Sequence, residues 1–588
     1  MSTLNVADRV ITTPSVPLEP KTEKSLVKRF ISNDWTVRIL SIAVGLILWQ
    51  LIGSKYPYSM SSPWAVARAM KAYLFPQILP AAWVSLKTFS LGFGICLVTG
   101  IPIGLAMARI KFVRIALGPY VATLNSMPML ALFPLLILLF GINAEIRVAA
   151  TVMFGLWSVI VNTMTGASRV DVTLEDVGRS FVASGWKRLT TIIIPGSLSY
   201  IFAGIRIGFG HAMIGAIVIE LEASIVGLGH LLQSYSQALE LAPYFIAVLV
   251  LGLFSILFST LLKRLQRWVT MPWARGTRTA DWRVRLGSRA VIDSLSGSRP
   301  ARQIRNGRRA LAHSLGPIRT ALGALYRFLA MCARFFTGSL TSWILRIAVL
   351  FGFIEGWQFQ YNHSNQGSLA SPRAVVKAFY NLTFQTHTIF GPLANSLELF
   401  GAGFAASLIL GIPIGLAMGR YRRFELILDP YVSFLYALPI VVFVPIMVIW
   451  LGFAFNFGVV FVIISAVFVV IINTAQGVHS VDPNLIEAGR SYCASETKIL
   501  RTIVIPSTIP FIVAGARLAF SVSWIGVIVS EVVSSETGLG GQITRYITEF
   551  LQADAVVPVL YIAAISVVLV GLANRYAPRL TPWANVDS

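Results

Sequence analysis

Apolar residues gather in runs of about twenty positions, separated by short polar stretches in which arginine and lysine predominate. A run of that length crosses the ~30 Å hydrocarbon core of a bilayer as a helix. The runs fall near residues 35–52, 85–107, 118–140, 146–166, 198–220 and 243–262, and again near 343–360, 396–418, 429–451, 457–477, 508–530 and 556–574. The pattern predicts an all-α integral membrane protein with about 12 transmembrane helices in two halves.

An internal repeat sets the division. Gly100-Ile-Pro-Ile-Gly-Leu-Ala-Met107 recurs letter for letter as Gly411 to Met418, a shift of 311 positions. The same shift carries Pro119-Tyr120 to Pro430-Tyr431, Pro128 to Pro439, Gly178-Arg179-Ser180 to Gly489-Arg490-Ser491, Pro195 to Pro506 and Glu220 to Glu531. It also carries Gly227-Leu-Gly229 to Gly538-Leu-Gly540, whereas Ser62-Pro63 answers to Ser371-Pro372 in a slightly drifted register. A register held for so long marks a duplicated module. The modules are placed at residues 35–273 and 341–583, with an N-terminal tail at 1–34, a basic linker at 274–340 and a C-terminal tail at 584–588.

Charge orients them. The chain of 588 residues is 56% hydrophobic and 12% charged, with a formal net charge of +23. That apolar content exceeds what a soluble domain carries. The cations sit in the tail, in short loops and in the linker, which is the positive-inside pattern rather than a nucleic-acid surface. Arg109, Lys111 and Arg114 follow the second run, Lys263, Arg264 and Arg267 the sixth, and Arg420, Arg422, Arg423 and Arg575 repeat the arrangement. An even number of spans gives two parallel modules around a central pathway. Tail, linker and C-terminus are all expected in the cytoplasm, and the tail lacks the apolar core of a signal peptide.

Between the fourth and fifth runs each module carries a polar segment of about thirty residues. Asp482-Pro483 reads as an N-cap followed by proline at the first helical position, a stronger start than Asp171-Val172. The second helix is therefore expected to be the better defined. Leu485, Ala488 and Tyr492, and likewise Leu174, Val177 and Phe181, fall on one face.

Glu487-Ala488-Gly489 with Ile503-Val-Ile-Pro506, and Asp176-Val177-Gly178 with Ile192-Ile-Ile-Pro195, resemble the EAA signature of binding-protein-dependent ABC permeases. Val182 and Cys493 stand where that family has a glycine, and isoleucine replaces the leucine before proline. Met127-Pro128, Leu438-Pro439, Trp524, Glu531 and Gly538-Leu-Gly540 are similar to the nitrate, taurine and aliphatic sulfonate group of these permeases. The resemblance implies a type I importer in the bacterial inner membrane. It also implies partners: two ABC ATPase subunits, which bind ATP and Mg, and a soluble substrate-binding protein. Asp176, Gly178, Phe181, Glu487, Gly489 and Tyr492 would then be the ATPase-coupling residues.

Polar side chains within spans are expensive in lipid and mark candidate pathway positions: Asn125, Ser126, His211, Glu220, Tyr436, Ser521, Trp524 and Glu531. Each has an alternative role in helix packing. For Glu220 and Glu531 that alternative is binding the amides of the following glycine loop. Lys87 and Glu398 share a repeat position with opposite charge, and Met213 stands where the second module has Trp524. No phosphate-binding glycine loop, zinc motif or nucleophile elbow occurs, so no cofactor, metal or catalytic residue is expected in this chain. An ion-coupled secondary transporter with two six-helix halves is the alternative. It is disfavoured by the absence of a Gly-x-x-x-Asp-Arg motif and by the long segment after the fourth run.

Overall fold

A computed structural model of the chain describes residues 34–223, 226–274, 339–363, 370–534 and 538–581. The arginines expected to line the linker, from Arg275 to Arg309, lie outside the described residues, as do nearly all of both tails. The described residues contain helices and no strand. In the first half these are α1 (Asp34–Lys55), α2 (Pro63–Tyr73), α3 (Leu79–Arg109), α4 (Lys111–Ser126), α5 (Phe133–Phe140), α6 (Ala144–Ser168), α7 (Val172–Ser180), α8 (Gly185–Arg188), α9 (Ile194–Ala223), α10 (Leu228–Gln237) and α11 (Leu241–Ala274). In the second half they are α12 (Ser339–His363), α13 (Pro372–Tyr380), α14 (Phe390–Arg420), α15 (Arg422–Ala437), α16 (Val444–Leu451), α17 (Phe455–His479), α18 (Pro483–Ser491), α19 (Glu496–Ile499), α20 (Ile505–Ser534), α21 (Leu539–Thr548) and α22 (Gln552–Leu580).

By length and composition, 9 helices of the described residues can cross a membrane, or up to 11 when two bent pairs count as spans. Those pairs correct the expectation of straight helices at 118–140 and 429–451. α4 and α5 meet at 98°, α15 and α16 at 95°. The bend follows from proline. Pro128 and Pro439 disfavour a helical conformation in the preceding residue, and Met127 and Leu438 are extended, at φ −79°, ψ 138° and φ −77°, ψ 139°. A short 3-10 turn follows each break, and a second proline then opens α5 and α16.

The slight drift of the repeat register also has a place. Residues Pro63–Arg109 form one continuous helical stretch, whereas the second half is interrupted before α14. There His387 adopts φ 55°, a left-handed conformation that ends the preceding turn.

Within each half, the second, fourth and fifth spans (α3, α6, α9 and α14, α17, α20) pack most extensively. Small residues allow this approach. A Cβ on Gly104 would lie 2.7 Å from Thr163 Cβ, and one on Gly415 would lie 2.7 Å from Thr474 Cβ. The repeated motif glycines thus permit close helix contact at equivalent positions in both halves.

The halves exchange their first helices. α1 packs on α15 of the other half and α12 packs on α4. Ser41 Oγ donates to the Ile427 carbonyl at 2.8 Å, and the Tyr431 hydroxyl donates to the Ser41 carbonyl at 2.6 Å. Reciprocally, the hydroxyl of Tyr120, the repeat equivalent of Tyr431, donates to the Arg346 carbonyl at 2.7 Å. α11 crosses the same boundary, where Ser255 Oγ donates to the Ala437 carbonyl at 2.7 Å.

Candidate functional site

The polar segment after the fourth span folds as a short helix, a tight turn and a second short helix leading into the fifth span. Asp171 Oδ1 accepts the Thr173 amide at 2.8 Å, and Asp482 Oδ1 accepts the Asn484 amide at 2.9 Å. The Thr173 bond holds the Asp171 carboxyl below its ordinary range. α7 and α18 are each 9 residues long and start at equivalent aspartate N-caps, the second with proline at its first position. An aspartate N-cap suffices without the proline.

Both helices end alike. The Ala183 amide bonds the Gly178 carbonyl and the Val182 amide bonds the Arg179 carbonyl. Ala494 and Cys493 repeat this with Gly489 and Arg490. This Schellman termination puts its last residue in the left-handed region, and Val182 and Cys493 both have φ 54°. The family's glycine at these two places therefore has a conformational reason that valine and cysteine meet only with strain.

Gly178 and Gly489 lie against the fifth-span entry. A Cβ on Gly178 would meet Ile192 Cδ1 at 2.8 Å, and one on Gly489 would meet Ile503 Cδ1 at 3.0 Å. The glycine and isoleucine of the motif are thus packing partners. Salt bridges tie each element to the end of the second span, but through different acids. Arg109 pairs with Glu175 at 2.5 Å and donates to the Ala167 carbonyl at 3.1 Å. Arg420 pairs instead with Glu496, which also takes Arg490 at 3.2 Å. Asp176 and Glu487 point to solvent, and the Phe181 and Tyr492 rings are 83% and 88% exposed at the helix C-caps. Leu174, Val177 and Leu485 are also exposed, so this end of the molecule presents apolar side chains that no part of the described chain covers.

At the opposite end, Glu220 and Glu531 are enclosed. Ser85 Oγ donates to Glu220 Oε2 at 2.7 Å, the Gly229 amide donates to the same oxygen at 3.0 Å, and Ser85 accepts the Leu228 amide at 2.8 Å. Ser396, Glu531, Leu539 and Gly540 repeat the bracket at 2.6, 2.9 and 2.9 Å. Trp524 is likewise buried, donating its indole N–H to Ser566 Oγ at 2.9 Å. These three side chains, expected on the pathway, are buried and hydrogen-bonded within the bundle. Ser85 and Ser396 escaped sequence reasoning, although the 311-residue shift relates them.

Between the halves, Leu130 with Val441, Val218 with Val529 and Leu221 with Val532 surround a void of about 10 Å³, which Glu222 and Gln233 also line. That is scarcely room for one water molecule. The void lies toward the end remote from α7 and α18. Just before the bends, Asn125 and Tyr436 are exposed at equivalent positions, while Ser126 bonds its own helix at the Ala122 carbonyl and Ser521 is half-buried.

Two candidates come together. Ser158 Oγ lies 2.9 Å from His211 Nδ1 and 3.4 Å from Asn125 Oδ1. A hydroxyl has one hydrogen, so when Ser158 donates to Asn125 the proton between serine and histidine resides on Nδ1. Ser158 went unnoticed in the sequence. The second half places Tyr436, Val469 and Val522 at these positions, and no polar cluster is repeated there. Among the described residues no group of three or more His, Cys, Asp or Glu side chains could hold a metal ion.

Comparison with known proteins agrees with this architecture. The taurine transport system permease protein TauC of Escherichia coli is 31% identical over 220 residues, covering 37% of this chain and 80% of its own length. The bicarbonate transport system permease protein CmpB of Synechococcus elongatus is 27% identical over 251 residues, covering 41% of this chain and 88% of its own. Each relative corresponds in length to one half. The family model of the binding-protein-dependent transport system inner membrane component matches twice, at residues 100–271 and 409–582. With an all-α module matched in each half, the chain is a multi-pass membrane permease of the binding-protein-dependent ABC transport family, carrying two permease modules in one polypeptide.

Proposed function

We propose that this permease moves a small anionic or zwitterionic solute, of taurine, sulfonate, nitrate or bicarbonate type, from a soluble binding protein into the cytoplasm. Two separate ABC ATPase subunits, binding ATP and Mg, drive it by docking on α7–α8 and α18–α19. The observation that carries this reading is the pair of exposed rings, Phe181 and Tyr492, at equivalent caps of two rigidly seated helices. Aromatic side chains filling a partner's cleft are common interface anchors. Asp176 and Glu487 rim each surface, while Gly178 and Gly489 seat the helices on the fifth spans.

The solute passes between the halves, with Asn125, His211 and Tyr436 along its route and Ser126 and Ser521 beside it. The apolar constriction closes the remote end. The N-terminal tail, the linker at 274–340 and the C-terminus share the cytoplasmic side with the ATPases, and the modules extend over 35–273 and 341–583. The basic linker tethers the modules near anionic headgroups.

The test is solute-stimulated ATP hydrolysis in vesicles holding the chain, its cognate ATPase and its binding protein. Tyr492→Ala and Phe181→Ala should insert normally yet lose ATPase association and uptake, singly in part and together almost wholly. Full coupling in the double variant would reject the rings as anchors. Uptake without any ATPase would reject the importer reading.

A further inference from the structure

The turn that joins α7 to α8 carries Phe181, Val182 and Trp186, which are 83%, 88% and 74% exposed. The 311-residue shift places Tyr492, Cys493 and Thr497 there, so each of these side chains is answered by a smaller or more polar one. α7 follows the same trend, since Val172 and Val177 are exposed where α18 has Pro483 and Ala488. Beside Thr497 stands Glu496, paired with Arg420 and Arg490, whereas the first half has Gly185 at that position. The two turns share one backbone, closed by the same pair of amide bonds. What they present differs: the first is apolar and the second polar.

The position of Trp186 along the bundle axis decides what its ring meets. Ser85 Oγ bonds Glu220 Oε2 at 2.7 Å, so α3 and α9 are level at those residues. Arg109 follows Ser85 by 24 positions along α3, a rise of about 36 Å. Trp186 precedes Glu220 by 34 positions on the continuous helical stretch Gly185–Ala223, a rise of about 51 Å. The ring therefore lies about 15 Å beyond Arg109, which closes the second span, and the headgroup layer adds only about 6 Å to each side of the hydrocarbon core. An interfacial tryptophan sits at headgroup level. Trp186 stands past that level, where an exposed indole meets water or a protein partner.

We propose that Trp186 is a further docking anchor beside Phe181, and that the first half holds its ATPase subunit more tightly than the second half does. The inference rests on the reading of α7–α8 and α18–α19 as the two docking surfaces. Tryptophan is among the residues that most often dominate an interface, because a large rigid ring removes much apolar surface from water. The first turn offers a partner cleft two such rings. At the second, Thr497 has little to bury and Glu496 is already engaged by arginines of its own half, so docking depends on Tyr492. When ATPase is scarce, the first half is occupied first.

Titration of the purified cognate ATPase, without nucleotide, onto the full-length chain in lipid nanodiscs tests this. Wild type should bind in two steps, one tight and one weaker. Trp186→Thr, which gives an exposed site the residue of the second half, should weaken the tight step by about thirtyfold, the equivalent of ~2 kcal/mol, and leave the weaker step unchanged. Thr497→Trp, which leaves the first half untouched, should strengthen the weaker step. Two equal steps in wild type, or an unchanged tight step in Trp186→Thr, would overturn the inference while the docking surfaces themselves stand. Tighter binding by Trp186→Thr would also overturn it, by showing that another part of the chain covers the ring. No ATPase bound to wild type at all would reject the docking reading beneath it.

Discussion

Glu531 Oε2 accepts the amide hydrogen of Gly540 at 2.9 Å, closing a buried bracket that bends the chain from the fifth span into α21. Glu220 does the same for Gly229 in the other half. The glycines before these leave no room for a side chain: a Cβ on Gly227 would fall 2.4 Å from the Glu220 carboxyl carbon, and Gly227 has φ 105°. Glu531→Ala strands a buried amide and a serine hydroxyl, each costing about 1–3 kcal/mol. The unfolding midpoint in detergent should fall clearly for Glu531→Ala and Glu220→Ala. Glutamine, whose amide oxygen can take the glycine N–H, should fall much less. Equal losses for alanine and glutamine would show that charge, not hydrogen bonding, holds the loop.

Gly489 sits 3.0 Å, measured from an ideal Cβ, from Ile503 Cδ1, and a larger residue there must push α18 off the fifth-span entry. Gly489→Leu should insert and fold yet uncouple ATP hydrolysis from uptake, and Gly178→Leu should act likewise. The salt bridges contribute less. Glu175→Gln removes the pair with Arg109, which is partly exposed and worth about 1 kcal/mol or less. Coupled hydrolysis in vesicles should drop severalfold for the leucine variants and little for Glu175→Gln. The reverse order would make the ion pair, rather than the glycine seat, the transmitting contact.

The exchanged helices make the halves interdependent. Tyr431 holds α1 through the Ser41 carbonyl, and Tyr120 holds α12 through the Arg346 carbonyl. Residues 1–273 and 341–588, produced as separate chains in one cell, should therefore co-purify in mild detergent without the linker. Tyr431→Phe with Tyr120→Phe removes two hydrogen bonds, about 1 kcal/mol each, and should raise the fraction of separated halves. Independent halves in both cases would mean that the crossed helices contribute little to assembly.

The duplication and the short helices after the fourth spans were readable because each left a periodic or motif signal. The helix starts at Asp171 and Asp482 are local chemistry, whereas the packing of Gly178 on Ile192 and of Gly489 on Ile503 became visible only in the fold. The bends were not read, although Met127-Pro128 and Leu438-Pro439 contained their cause. Hydropathy averages over a window and is blind to a 98° turn inside it. Nor does sequence order tell which neighbour a first helix chooses, so the pairing of Ser41 with Tyr431 required the fold. The clustering of Asn125, Ser158 and His211 draws on three separate spans and left no local pattern at all.

That cluster gives the last prediction. Ser158 Oγ sits between His211 Nδ1 and Asn125 Oδ1, and Asn125 is exposed just before the bend that leads to the constriction. The second half carries Tyr436, Val469 and Val522 instead, so this three-residue hydrogen-bonded cluster belongs to the first half alone. A small polar solute leaving a binding protein must exchange water for protein donors and acceptors, and a buried polar group left unmatched is costly. His211→Val imposes the second half's residue on the first. It removes the Nδ1 partner of Ser158 while leaving the aromatic cluster around the neighbouring Phe209 in place. It should preserve insertion, ATPase association and basal hydrolysis, yet lower solute-stimulated hydrolysis and uptake by about tenfold, the equivalent of ~1.4 kcal/mol. Asn125→Ala should act in the same direction, because it removes the exposed acceptor of the cluster. Val522→Ala, the matching change in the other half, should have little effect. If Val522→Ala and His211→Val reduce uptake equally, the route is symmetric and the polar cluster serves only to pack the third, fourth and fifth spans.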